Sequence, residues 1–574
     1  MGIFTVLRFL TVDIVYNYHT SVSLVIRKEL PLMFHKKFLY ERNLYFLIFT
    51  VLSLLFIVNG YATLATNDDW ALRGLLAAKD IYGTLIMSYP LSYVMSHLYD
   101  FFPSLPWYSL LLSLVIWFNF YFVALYIEKN DSYLQKAIIF VLALLWLTYL
   151  WLHASITVLT ITTMLSAVGF IRKELLLSFI FIFLASLLRT DMMIIFIPFY
   201  LVAFFILREK LTMNKHEVYG LILLISLVAS SLFIQKQDHV YTDWLVFNKA
   251  RASVADLGSS DTKKILSSEE MFFLGAGWVQ DSELLPTDKV IASSPVLSDI
   301  LQRKVQNIHF IDFLKIYKFR YWLWLLFVAS FIVILLNIKS RKALFIPFFA
   351  LGVILLIITR DVDRVTVPLV MMWAYILSES LKSNRIVNTI FLFLFTYLFY
   401  SYSSAQLGYR YFTENTLLQK EARQLIVQSG KICEPSMSYP TGLTMEVINV
   451  FRNNYLFYED NWLKLNDKEI LPAGWLSRHE LFYIAHNLSD ANTKRKYSKY
   501  YDFLIDDETA FFGSKMLIRG GNSKILLDTY DKLHLKDRPN CRHKAFIVAE
   551  SEHFAISQIK VDCNATLGAG TSVP

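Results

Sequence analysis

The sequence predicts a polytopic, all-α membrane protein of about 11 transmembrane helices with a C-terminal mixed α/β domain outside the membrane. Three observations predict it. Hydrophobic residues make up 55% of the 574 residues and charged residues only 18%, against about 25% charged in soluble domains. The mean hydropathy is +0.44. The apolar excess is gathered into runs long enough to cross a bilayer, and the residues after 405 are of a different, polar kind. This composition excludes a disordered chain, a disulfide scaffold and an ordinary soluble enzyme.

The runs begin near Asn43, Trp107, Lys136, Ser155, Leu175, Met192, Val218, Tyr321, Ala343, Thr366 and Val387. Their connections fall into two sets. RKELPLMFHKKFLYER, EKNDSYLQK, IRKE, REKLTMNK, NIKSRK and SESLKSNR are basic and mostly short. They read as cytoplasmic by the positive-inside rule. The same bias accounts for the net charge of +8 without nucleic acid as a partner; membrane lipids are the expected one. The long connections, 65–106 and 235–320, then lie outside, as does the tail 406–574. An odd number of spans with a cytoplasmic N-terminus gives an external C-terminus.

The expected organisation is therefore a cytoplasmic or interfacial segment 1–42, a transmembrane domain 43–405 that includes both outer loops, and an extracytoplasmic domain 406–574. The alternation in KAFIVAE and HFAISQIKV marks strands in that last part. All three cysteines, Cys433, Cys541 and Cys563, lie there. One disulfide is expected in an oxidising compartment, and the spacing does not choose the pair.

Candidate chemistry collects on the outer face. ATNDDWALRG follows the first run and puts Asp68 and Asp69 close to the membrane surface. Charge beside hydrocarbon is costly, so adjacent carboxylates there suggest a general base or a metal ligand rather than a solvated turn. A like-charged neighbour and partial burial would raise one pKa, as a base for a hydroxyl proton needs. Further along the same loop, His97 and Asp100 share a face of a helix expected to lie in the interface. His97 reads as structural or as an acceptor contact.

In LLRTDMMI, Arg189 either pairs with Asp191 or meets a lipid phosphate with its fork of donors. The preceding hydroxyls Thr157, Thr160, Thr162 and Thr163 read as helix-packing groups. The second long loop carries Asp243, Trp244, Asn248, Arg251 and Asp256, then Trp278 and Asp281. Aromatics beside carboxylates suit a sugar, although aromatics also anchor interfaces. Asn248 and Arg251 would share a helix face. The turn ITRDVDRVTV sets Arg360 and Arg364 against Asp361 and Asp363, as salt bridges or as phosphate ligands.

The layout resembles the C-type (GT-C fold) integral-membrane glycosyltransferases, in particular the bacterial transferases and polymerases of surface polysaccharides such as O-antigen. The resemblance covers about 43–405. It implies Asp68 or Asp69 as the base; Arg189, Arg251, Arg360 and Arg364 as donor-phosphate ligands; and His97, Asp243, Trp244, Asn248, Asp256, Trp278 and Asp281 as sugar or acceptor contacts. It further implies a donor on undecaprenyl or another polyprenyl phosphate or diphosphate, a lipid-linked or surface glycan acceptor, inversion at the anomeric carbon, and a place in the bacterial inner membrane. No cofactor is required by it; the acidic pair is compatible with Mg2+ or Mn2+. A glycan flippase or transporter is the alternative, but it should place polar or broken positions at mid-membrane and show internal repeats.

Overall fold

The computed structural model describes residues 37–58, 87–102, 105–128, 132–171, 174–207, 215–235, 245–251, 265–275, 282–294, 321–336, 345–353, 363–382, 384–407, 428–435, 499–514 and 521–563, with isolated residues between them. The chain divides into two units, Met1–Ile48 and Phe49–Pro574.

Helices occupy all eleven apolar runs. They are α1 (Lys37–Val58), α3 (Trp107–Glu128), α4 (Tyr133–Leu152), α5 (Ile156–Phe170), α6 (Leu175–Leu188), α7 (Thr190–Leu207), α8 (Lys215–Gln235), α11 (Tyr321–Leu336), the helical residues 345–353, α12 (Asp363–Leu381) and α13 (Arg385–Leu407). The helix expected in the first outer loop, α2, covers Tyr89–Phe101. Two short helices, α9 (Ser268–Gly275) and α10 (Thr287–Ala292), lie in the second.

The expected count of about eleven spans needs correction. Among the described residues three helices are long and apolar enough to cross a membrane, α3, α4 and the Arg385–Tyr402 part of α13. Shorter apolar helices accompany them, including α5 with 15 residues and α6 with 14. At 1.5 Å per residue these two reach only about 22 Å and 21 Å, short of a hydrocarbon core of about 30 Å. Nearly every α5 side chain is buried by protein. An apolar run marks a core helix as readily as a span.

The outward faces still speak for lipid. On α11, Trp324, Val328, Phe331 and Leu335 are exposed at helical spacing, and on α13 Ile386, Ile390, Phe393 and Tyr397. A water-facing helix would carry charge there.

α5 packs against α3, α6, α7 and α12. Asn119 of α3 donates to Thr163 Oγ1 at 3.0 Å, and Ser166 Oγ donates to Asn119 Oδ1. Ser178 of α6 donates to the Ala167 carbonyl and lies 2.8 Å from the Tyr200 hydroxyl. Trp151 and Trp373 donate to Ser53 and Ser330. These are isolated polar contacts in an apolar medium, each worth about 0.6–2 kcal/mol. Gly169 of α5 lets α3 approach: a Cβ built there would lie 1.8 Å from Phe122 Cζ.

The remaining elements form a lobe that contains the sheet: β1 (Ile432–Pro435), α14 (Tyr500–Leu504), β2 (Thr509–Ser514), α15 (Gly521–His534), β3 (Arg542–Glu550) and β4 (Phe554–Asp562). The sheet is small and open, in the order β1-β2-β4-β3. β1 runs parallel to β2, and the other pairings are antiparallel. The disulfide joins Cys541 to Cys563. These residues flank β3 and β4, whose end pair is Arg542 and Asp562, so the bond closes the open end of a hairpin.

The expectation of a self-contained C-terminal α/β domain is also corrected. Phe503, Leu504, Tyr530 and Ile559 share one hydrophobic cluster with Phe247, Ala250, Val254, Phe273, Leu285 and Val290 of the second long loop. The open sheet supplies too little apolar surface for a core of its own, and the loop completes it.

Candidate functional site

Helix beginnings converge around Arg189. This residue closes α6, where its N–H donates to the Ala185 carbonyl, and it immediately precedes α7. Its side chain leaves that line: Nη1 donates to Thr157 Oγ1 in the first turn of α5. Ser155 caps the same turn, its Oγ accepting from Thr157 N at 3.2 Å. From the other side, Ser88 N donates to the Leu187 carbonyl at 3.2 Å, and Ser88 is the N-cap of α2. The half-buried guanidinium thus reaches the first turn of α5, while the starts of α2 and α7 adjoin residues 187–190 at the C-terminal end of α6. Each helix start carries about half a positive charge in unpaired N–H groups, and such starts attract phosphate and carboxylate.

Thr157 packs helices in a different way from its three neighbours. Thr160, Thr162 and Thr163 donate to carbonyls one turn back, at 2.7, 2.8 and 2.7 Å, as packing hydroxyls should. Thr157 instead accepts from Arg189 and fixes where the guanidinium lies. Its place in the first turn, two residues after a serine cap, was the available signal.

Arg251 and Asn248 share a face as their spacing predicts. Nε and Nη2 of Arg251 both donate to Asn248 Oδ1, at 3.1 and 3.0 Å. Phe247 and Ala250 of the same helical stretch enter the lobe core. Arg251 is thus presented by the lobe and Arg189 by the helices. Arg364 is half-buried in the first turn of α12. His97 sits on α2, its Nδ1 donating to the Tyr93 carbonyl at 2.9 Å and its ring 4.2 Å from that of Tyr93. That bond favours its structural reading. Asp68, Asp69, Arg360, Asp243, Trp244, Asp256, Trp278 and Asp281 lie outside the described residues. Among the described residues no group of three His, Cys, Asp or Glu side chains is arranged to hold a metal ion.

A second polar cluster, missed in the sequence, braces the lobe. Asp531 Oδ1 accepts from the backbone N and from Nδ1 of His543, at 2.8 and 2.7 Å. Nε2 of His543 is then the acceptor for the Tyr501 hydroxyl at 2.6 Å. Tyr501 stacks on His534 at 3.6 Å. Glu283 of the second loop binds Lys499 at 2.7 Å and approaches His534 at 3.4 Å. Burial, with the Asp531 charge adding to it, pushes the Tyr501 phenol up to about 12. Its hydroxyl is aimed at a buried imidazole, so the chain Tyr501–His543–Asp531 is a strut rather than a reacting group.

Comparison with protein families, with curated proteins and with solved structures gives no match. The chain is a large, mostly helical, membrane-associated protein. Its likeness to C-type transferases rests on the sequence pattern.

Proposed function

We propose that the protein is an inverting glycosyltransferase of cell-surface polysaccharide, acting on the outer face of a bacterial inner membrane with a polyprenyl-phosphate- or diphosphate-linked sugar. The observation that carries this reading is the guanidinium of Arg189, held by Thr157 in the first turn of α5 and next in the chain to the start of α7. That is a seat for a phosphate at the edge of a helical bundle.

In this mechanism the carboxylate of Asp68 or Asp69 takes the proton of an acceptor hydroxyl. The oxygen forms a bond to the anomeric carbon from the face opposite the lipid phosphate. The bond from that carbon to the phosphate oxygen breaks, and the phosphate leaves with the electron pair. Arg189, with Arg251, Arg360 or Arg364, offsets the charge that builds on it. Acceptor contacts come from the second outer loop.

Two features support the orientation. A disulfide at Cys541–Cys563 belongs in an oxidising compartment. The second loop and the tail share a core, so both must lie on one side.

The test is analysis of surface polysaccharide from wild type, a deletion, Asp69→Asn and Arg189→Gln at equal expression. Loss of polymer length in all three altered strains identifies a polymerase. Loss of one sugar per repeat identifies a branch transferase. A glycan unchanged in the deletion overturns the proposal.

A further inference from the structure

β3 is the outermost strand of the lobe, and its neighbour among the described residues is β4. It has nine residues, against four in β1 at the opposite edge. Five consecutive residues, Lys544 to Val548, are exposed, so both faces of the strand are uncovered. Phe546, Ile547 and Val548 are 44%, 41% and 40% exposed. A long edge strand with hydrophobic side chains and, among the described residues, a partner strand on one side only is a combination that natural sheets rarely leave in water. A bilayer would cover the side chains but leave the backbone groups unmet. Another strand satisfies both.

The charges choose the strand. Arg542 and Lys544 stand at one end of β3, and Glu550 and Glu552 at and just beyond the other. An antiparallel copy sets plus against minus at both ends. We propose that β3 pairs with β3 of a second copy of this chain, about a two-fold axis at Ile547. Lys544 then faces the partner's Glu550 and Arg542 faces the partner's Glu552, with Phe546, Ile547 and Val548 between them. Lys544 reaches Asp562 at 2.6 Å and Arg542 lies 3.7 Å from Asp531, yet both side chains remain 48% exposed. The irregularity between Ile547 and Ala549 leaves Val548 outside the β4 register. It bends the strand and keeps the new ladder short. Pairing about a two-fold axis makes the contact isologous, so assembly closes at two rather than growing into a fibre.

Ile547→Cys, in a Cys433→Ser full-length background in native membranes, tests the register. Directly opposed Cβ atoms in an antiparallel pair are about 4.5–5.5 Å apart, so mild oxidation should convert most of the protein into a covalent dimer. Lys524→Cys on α15 and the Cys433→Ser parent should give at least tenfold less. A second test is independent of folding. Lys544→Glu and Glu550→Lys should each lose the dimer, measured with Ile547→Cys present, and co-expression of the two single variants should restore it. Absence of cross-linking from an Ile547→Cys protein whose thiol is readily alkylated overturns the proposal. So does quenching of a fluorophore at that cysteine by spin-labelled lipid without cross-linking, which would assign the edge to the bilayer surface.

Discussion

The helical bundle and the sheet-containing lobe are built from the same chain by opposite means. In the bundle, polar side chains form short neutral links: Asn119 joins Thr163 and Ser166, Trp151 reaches Ser53, Trp373 reaches Ser330. Apolar contact does the rest, and it faces outward as much as inward. In the lobe, polar groups act in chains. Asp531, His543 and Tyr501 form one line, Glu283, Lys499 and His534 another, and a covalent bond closes the hairpin beside them. A bundle in an apolar medium needs close approach, whereas a small lobe in water needs cross-links. The two regions should therefore fail under different insults.

The largest expected effect is on the lobe. Cys541→Ser removes a bond that closes a loop of 22 residues in sequence, which should cost roughly 3 kcal/mol. Limited proteolysis in detergent should cleave the lobe of this variant while the helices stay protected. Equal loss of protection in both regions would break the comparison. Next is Gly169→Ala, which forces Phe122 aside at about 1–3 kcal/mol. Thermal unfolding of the bundle should fall, the lobe should be unaffected, and Phe122→Leu added to the variant should recover part of the loss.

The smallest effect sharpens the picture through pH. Tyr501 has its pKa raised to about 12 from 10.0. Its folded state holds the proton more tightly than the unfolded chain. That contribution is complete below pH 10 and is lost as the pH rises towards 12. Alkaline titration of lobe protection should therefore show a decline in that window, and Tyr501→Phe should remove the decline while costing about 1 kcal/mol at neutral pH. A Tyr501→Phe profile identical to wild type would show that the phenol is not a strut.

The helices were legible because apolar composition alone marks them: every run from Asn43 to Val387 became one. Their roles were not. α5 and α6 have the composition of spans and the length of core helices, and only packing separates the two. Thr157 looked like its neighbours because its partner, Arg189, lies on another helix. Asn248 and Arg251 were legible because helical spacing is local. The lobe core was not, since Phe247 and Phe503 are far apart in sequence and no short window contains both. The strands KAFIVAE and HFAISQIKV were visible; their register, which brings Cys541 to Cys563, required the turn between them.

The shared core of loop and tail also fixes an order of manufacture. Phe247, Phe273 and Leu285 leave the ribosome well before Phe503, Tyr530 and Ile559 exist. Four helical segments must be set in place between them. Until β4 is made, the loop presents half of a hydrophobic interior to solvent, where chaperones and proteases inspect unfinished chains. The lobe therefore joins two distant stretches of synthesis: only a chain that has delivered β4 can close the surface opened by the second loop.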